Sequence, residues 1–85
     1  MTRLRWEKDN RHRGWYDMKD ETTGRTICAY SNQYTWHPTH GKEWRVIYAI
    51  TGRKDRTVPL HEYPEPELRR MLEMEYLLSM GESDE

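Results

Sequence analysis

Apolar and polar positions alternate most clearly over residues 43–51. Trp44, Val46, Tyr48 and Ile50 fall on one face of an extended chain there, with Arg45, Ile47 and Ala49 on the other. Both faces carry apolar groups, so this stretch is expected to be a central strand that needs cover on each side. Its β-branched and aromatic content suits a pleated surface, and Gly52 follows as a break. Shorter alternating runs predict strands over residues 15–19, 25–31 and 57–62, the last at a sheet edge because Pro59 cannot donate to a ladder. In the second of these, Ile27 and Ala29 are expected to face one way and Thr26, Cys28 and Tyr30 the other. The polar run 20–24, ending in Gly24, reads as a hairpin loop. Residues 32–42 read as a long connection, and residues 52–56 as a basic turn.

At residue 64 the period changes. Leu68, Met71, Leu72 and Leu78 recur at helical spacing, flanked by Met74 and Tyr76, while Leu77 falls on the opposite side. Pro64, Pro66, Glu65 and Glu67 suit a first helical turn and Gly81 a stop, so a helix is expected from about residue 66 to 80. The fold class predicted is α+β: a small antiparallel sheet of three to four strands with one C-terminal helix packed on one face. Residues 14–81 form the single domain. They are preceded by a basic N-terminal segment, 1–13, that reads as either an arm or an edge strand, and followed by an acidic tail, 82–85.

Composition changes this picture in one respect. The 85 residues include only eleven Leu, Ile and Val and no Phe, so the core must be built from the four Trp and six Tyr. A net charge of −1 does not keep such a chain unfolded. The near-zero total hides an asymmetry of +3 over residues 1–13 against −6 over residues 62–85. One cysteine permits no internal disulfide. With no apolar run long enough for a bilayer and no signal-peptide pattern, no membrane role is expected and a cytoplasmic location is.

Candidate chemistry is sparse. His37, His40, His61 and Cys28 are the only residues resembling a metal set, and they lack the paired Cys-x-x-Cys or His-x-x-x-His spacing that gathers ligands. Cys28 lies mid-strand, where an unpaired thiol ordinarily packs and does not act as a nucleophile. The reading is therefore no enzyme, no metal and no cofactor. Arg3, Arg5, Trp6, Arg11 and Arg13 interleave cations with an aromatic, and Arg53, Lys54 and Arg56 could extend that patch. With Trp36, His37 and His40 of the long connection they form the expected partner-binding set, while Met74, Leu77 and Met80 are surplus apolar groups on the helix suited to homodimer contact. The leading expectation is a small non-enzymatic protein that binds another protein, of the size of inhibitors or regulators encoded by phages and mobile elements. The alternative is a nucleic-acid-binding module using the basic arm and the Arg53–Arg56 turn.

Overall fold

A computed structural model describes residues 3–49 and 53–79. Five strands, β1 (Leu4–Lys8), β2 (Trp15–Asp20), β3 (Arg25–His37), β4 (Gly41–Tyr48) and β5 (Arg56–Pro59), precede one helix, α1 (Glu65–Ser79). The strands form one antiparallel sheet in the order β1-β2-β3-β4-β5, each pairing with its sequence neighbour. The α+β class and the single C-terminal helix are as the sequence implies, but the sheet has five strands instead of three to four. The added strand is β1, so residues 4–8 of the basic segment form an edge strand. Its register, Trp6 opposite Met18 and Lys8 opposite Tyr16, puts Leu4 and Trp6 on the helix side.

Two other expectations change. The strand expected at the centre is β4, second from an edge, and the middle position belongs to β3. Ile50 and Thr51 lie outside the described residues, as do Gly52, Met80 and the 82–85 tail. The supposed long connection is mostly strand: β3 continues to His37 and pairs back onto β4, with Trp36 opposite Lys42 and His37 opposite Gly41. Between Ser31 and Thr35 the register slips, three residues of β3 standing against one of β4. The slip interrupts the alternation, and the hairpin beyond it is solvated, so no half-buried pattern marks it in the sequence.

The core sits between the sheet and α1. It comprises Met18, Ile27, Cys28, Tyr30, Trp44, Val46, Val58, Leu68 and Leu72, with Leu4, Trp6, Tyr16, Tyr48, Leu60, Tyr63, Met71 and Tyr76 packed around it. Trp44, Val46 and Tyr48 face the helix, as their alternation predicts. Ile27 does not follow it: β2 pairs Met18 with Cys28 and Lys19 with Thr26, so Ile27 is the extra residue of a bulge. It therefore joins Cys28 in the core while Ala29 lies on the far face. On α1 only Leu68 and Leu72 are fully buried, and Leu78, expected within the packed stripe, is 54% exposed. The stripe ends early because Glu75 and Tyr76 occupy the next turn of the docked face, each bonded to the sheet.

Polar tips ring this small apolar contact. Trp6 Nε1 donates to Glu73 Oε2 at 2.7 Å, Trp44 Nε1 to the Tyr63 carbonyl at 2.7 Å and Tyr48 Oη to Glu75 Oε1 at 3.0 Å. Each large aromatic thus buries its ring and keeps its polar atom partnered, the condition under which Trp and Tyr serve as core residues. Truncating Leu72, which is 1% exposed, is expected to cost about 2–5 kcal/mol. Urea unfolding of Leu72→Ala against wild type measures this.

Candidate binding surface

Up-and-down connectivity divides the loops between two ends of the sheet. The β1–β2 loop, the β3–β4 turn and the β5–α1 connection lie at one end; the start of β1, the β2–β3 turn and the β4–β5 connection lie at the other. The expected partner-binding residues therefore do not form one surface. Arg3, Arg5, Arg53, Lys54 and Arg56 belong to the second end, and Arg11, Arg13, Trp36, His37 and His40 to the first.

At the second end the cations are largely engaged within the chain. Arg56 Nη2 lies 2.7 Å from Glu75 Oε2 and Arg53 Nη1 lies 4.0 Å from Glu75 Oε1, with the two guanidiniums 5.9 and 5.6 Å from the Tyr48 ring centre. Burial, opposed by Arg56, pushes the Tyr48 hydroxyl up to about 12, so it stays a neutral donor to Glu75. Arg5 pairs with Glu7 at 3.0 Å and Glu21 at 3.7 Å. Arg3 and Lys54 are exposed. Trp6 lies on the helix face, with its ring edge-on to Tyr30 and Arg69 stacked above it. These contacts make it part of the packing under α1.

The first end is different. Asp9 Oδ1 accepts the amide N–H groups of Arg11 at 2.8 Å and His12 at 3.3 Å, which hold its carboxyl below the usual range and bend the loop so that Arg11, His12 and Arg13 are exposed. Gly14 closes the loop at φ 84°, and a Cβ there would stand 2.5 Å from Asn32 Oδ1. The Asn32 amide donates to the Gly14 carbonyl at 2.9 Å and Gln33 Nε2 to the Arg13 carbonyl at 3.2 Å. The basic loop is thereby tied to the slipped segment of β3.

Beyond that slip most of the hairpin is exposed. Trp36 is 74% exposed at its end and Tyr34 is 41% exposed. Tyr34 stands edge-on to Trp44 at 5.1 Å, with Lys42 Nζ 5.4 Å from its ring centre. Trp36 pairs with Lys42, and Lys42 shares a face with Trp44, so these rings lie on the helix side of the sheet where no helix covers them. The turn is rigidified by His37, whose Nδ1 accepts the amides of Thr39 at 3.0 Å and His40 at 3.3 Å. His37 and His40 stack at 4.5 Å, and His61 lies 6.4 Å from His40.

Stacked rings do not converge on a point, and among the described residues no group of three or more His, Cys, Asp or Glu is arranged to hold a metal ion. Cys28 is buried in the core, and burial pushes its thiol up to about 12, far from the thiolate that nucleophilic or ligand chemistry requires. On α1, Met74 is 51% exposed and Leu77 is half-buried, and Met80 lies outside the described residues. Tyr34 and Lys42 complete the hairpin end and were not singled out in the sequence. Tyr34-x-Trp36 is the alternating pair that could have marked them as strand neighbours.

In comparisons with protein-family models, curated proteins and solved structures, nothing matches the chain. Among the described residues no helix is long and apolar enough to cross a membrane.

Proposed function

We propose that the protein is a non-enzymatic binding module that engages a partner protein through the hairpin end of its sheet. The observation that carries this reading is the exposure of Trp36 and Tyr34 beside Lys42 on a hairpin braced from within, with Arg11 and Arg13 exposed in a loop at the same end of the sheet. Trp, Tyr and Arg are the residue types that dominate interface energetics. A rigid hairpin presents them with little ordering cost on binding. An inhibitor or regulator built this way acts by occupying a surface on its target. Homodimerisation through α1 draws its support from exposed Met74 and Leu78 and half-buried Leu77.

The same rings and cations could stack on single-stranded nucleic acid. That second reading keeps Arg11 and Arg13 but loses much of its other half, because Arg53 and Arg56 are held by Glu75. Capture from nuclease-treated extract of the source cell tests both. Wild-type protein is expected to retain a protein that Trp36→Ala and the Arg11→Ala/Arg13→Ala double variant each lose. Because Trp36 is so exposed, its truncation is expected to change stability by no more than about 0.5 kcal/mol. Unchanged retention by both variants would refute the placement. Retention seen in untreated extract and absent from the nuclease-treated one, with oligonucleotide affinity falling steeply as salt rises, would favour the nucleic-acid reading.

A further inference from the structure

The face of the sheet turned away from α1, opposite Trp36, carries a groove. Its volume is about 270 Å³, and Asp9, His12, Trp15, Asp17, Ala29 and Ile47 line it. Cross-strand register explains the grouping: Asp17, Ala29 and Ile47 are neighbours on three adjacent strands, with Trp15 two residues from Asp17 on the same face. Ala29 and Ile47 supply an apolar floor and the Trp15 ring a wall, and Ile47 is 39% exposed for want of cover.

The rim above that floor is acidic. Asp17 has no hydrogen bond or ion pair among the described residues. Its carboxyl is raised above the ordinary range by burial first, then by the charge of Asp9, with Glu7 adding to the rise and Lys19 and His12 opposing it. Lys19 itself is paired to Glu7 at 2.8 Å. Arg45 lies across the Trp15 ring at 5.7 Å, and His12 belongs to the loop on the other side. The groove therefore offers an apolar channel ending at the Asp17 carboxylate, on which Lys19 and His12 act without forming an ion pair, beside Asp9, whose Oδ1 is engaged by two backbone amides.

We propose that this groove receives a basic side chain, lysine or arginine, from a partner protein. Its methylenes would lie on Ala29, Ile47 and Trp15, with the cation against Asp17 and Asp9. Long basic side chains bury their stems on apolar surface while the charged head finds a counter-ion, and a tryptophan wall adds cation–π attraction. The groove shares the β1–β2 loop with the hairpin end through Asp9 and His12, but its floor lies on the face opposite Trp36, so Asp17→Asn tests it without touching the surface proposed above.

Titrating the protein with n-butylguanidinium, followed by ¹H–¹⁵N correlation spectra, tests it without knowing the partner; n-butanol serves as the uncharged control. Saturable shifts are expected at the Trp15 indole and the Ala29 and Ile47 amides. In Asp17→Asn the affinity is expected to fall about fivefold, as for loss of one partly exposed charge pair. Three results would overturn the proposal: shifts that do not saturate, equal affinity for n-butanol, or an unchanged affinity in Asp17→Asn. The same residues shifting with protein concentration alone would also overturn it, by identifying a second copy as the occupant.

Discussion

Tyr30→Ala is expected to be the most damaging single truncation in the chain, costing about 3–5 kcal/mol. A domain of this size has about 5–15 kcal/mol in total, so the variant should be close to unfolding at room temperature. Tyr30 lies on the middle strand, is fully buried and touches three other aromatic rings. Tyr16 stacks on it at 5.3 Å, and Trp6 and Trp44 meet it edge-on at 5.4 Å each. Its hydroxyl donates to Glu65 Oε2 and accepts from Arg69 Nε at 2.7 Å, linking the first turns of α1 to the sheet. Arg69 in turn sits over the rings of Trp6, Tyr16 and Tyr30 at 5.2–5.6 Å. Burial, helped by Glu65 and resisted by Arg69, raises the hydroxyl well above the usual tyrosine range, so it remains protonated and keeps both bonds at any ordinary pH. Tyr30→Phe keeps the ring and removes the hydroxyl, and should cost about 1.5–3 kcal/mol. Urea midpoints followed by tryptophan fluorescence give the order wild type, Tyr30→Phe, Tyr30→Ala. Equal midpoints for the two variants would mean that the ring packing contributes nothing beyond the hydroxyl.

Asp20→Ala is expected to cost about 2–3 kcal/mol near neutral pH and to flatten the acid limb of the stability curve. The Asp20 side chain joins two parts of the fold. Its Oδ1 accepts the Thr22 amide at 2.8 Å within the β2–β3 turn, and its Oδ2 accepts the Tyr76 hydroxyl at 2.9 Å from the end of α1. Burial works to raise this carboxyl, but the hydrogen bonds from Tyr76, Thr22 and Thr23 outweigh it and hold the carboxyl below the usual aspartate range. A carboxyl depressed in the native state contributes stability that is full above its unfolded pKa. That stability is lost as pH falls through the native value. Wild type should therefore lose stability below about pH 4, and Asp20→Ala should lose less over the same interval. Glu7 and Asp9 are also depressed, so some acid slope should remain in the variant. Parallel curves for the two proteins would show that Asp20 is not the linked group.

These two residues also mark how far the sequence could be read. The sheet-facing aromatics were legible because alternation reports which side of a strand a residue takes, and Trp44, Val46 and Tyr48 obey it. What alternation cannot report is a bulge. One extra residue parts Ile27 from Ala29, with which alternation groups it, and the slip after Ser31 hides the second half of β3. The helix could be located from its period, but its docking could not. Glu65, Arg69, Glu73 and Glu75 look like a solvated charged face in sequence, yet each reaches a sheet aromatic. That the two basic groups fall at opposite ends of the sheet is hidden for a related reason. Spacing along the chain does not say which end of an antiparallel sheet a loop occupies, nor that Glu75 sits between Arg53 and Arg56. Trp36 needed only its loop context to be noticed, because a tryptophan among His, Pro, Thr and Gly has little around it to pack against.

The placement of the binding surface is tested most directly by photo-crosslinking. A benzophenone amino acid at position 39, in the exposed turn beside Trp36, is compared with the same group at position 74 on the exposed side of α1. After irradiation in extract of the source cell, a discrete partner adduct is expected from position 39 and none from position 74. An adduct from position 74 alone would contradict the hairpin end as the contact surface and move it to the helix.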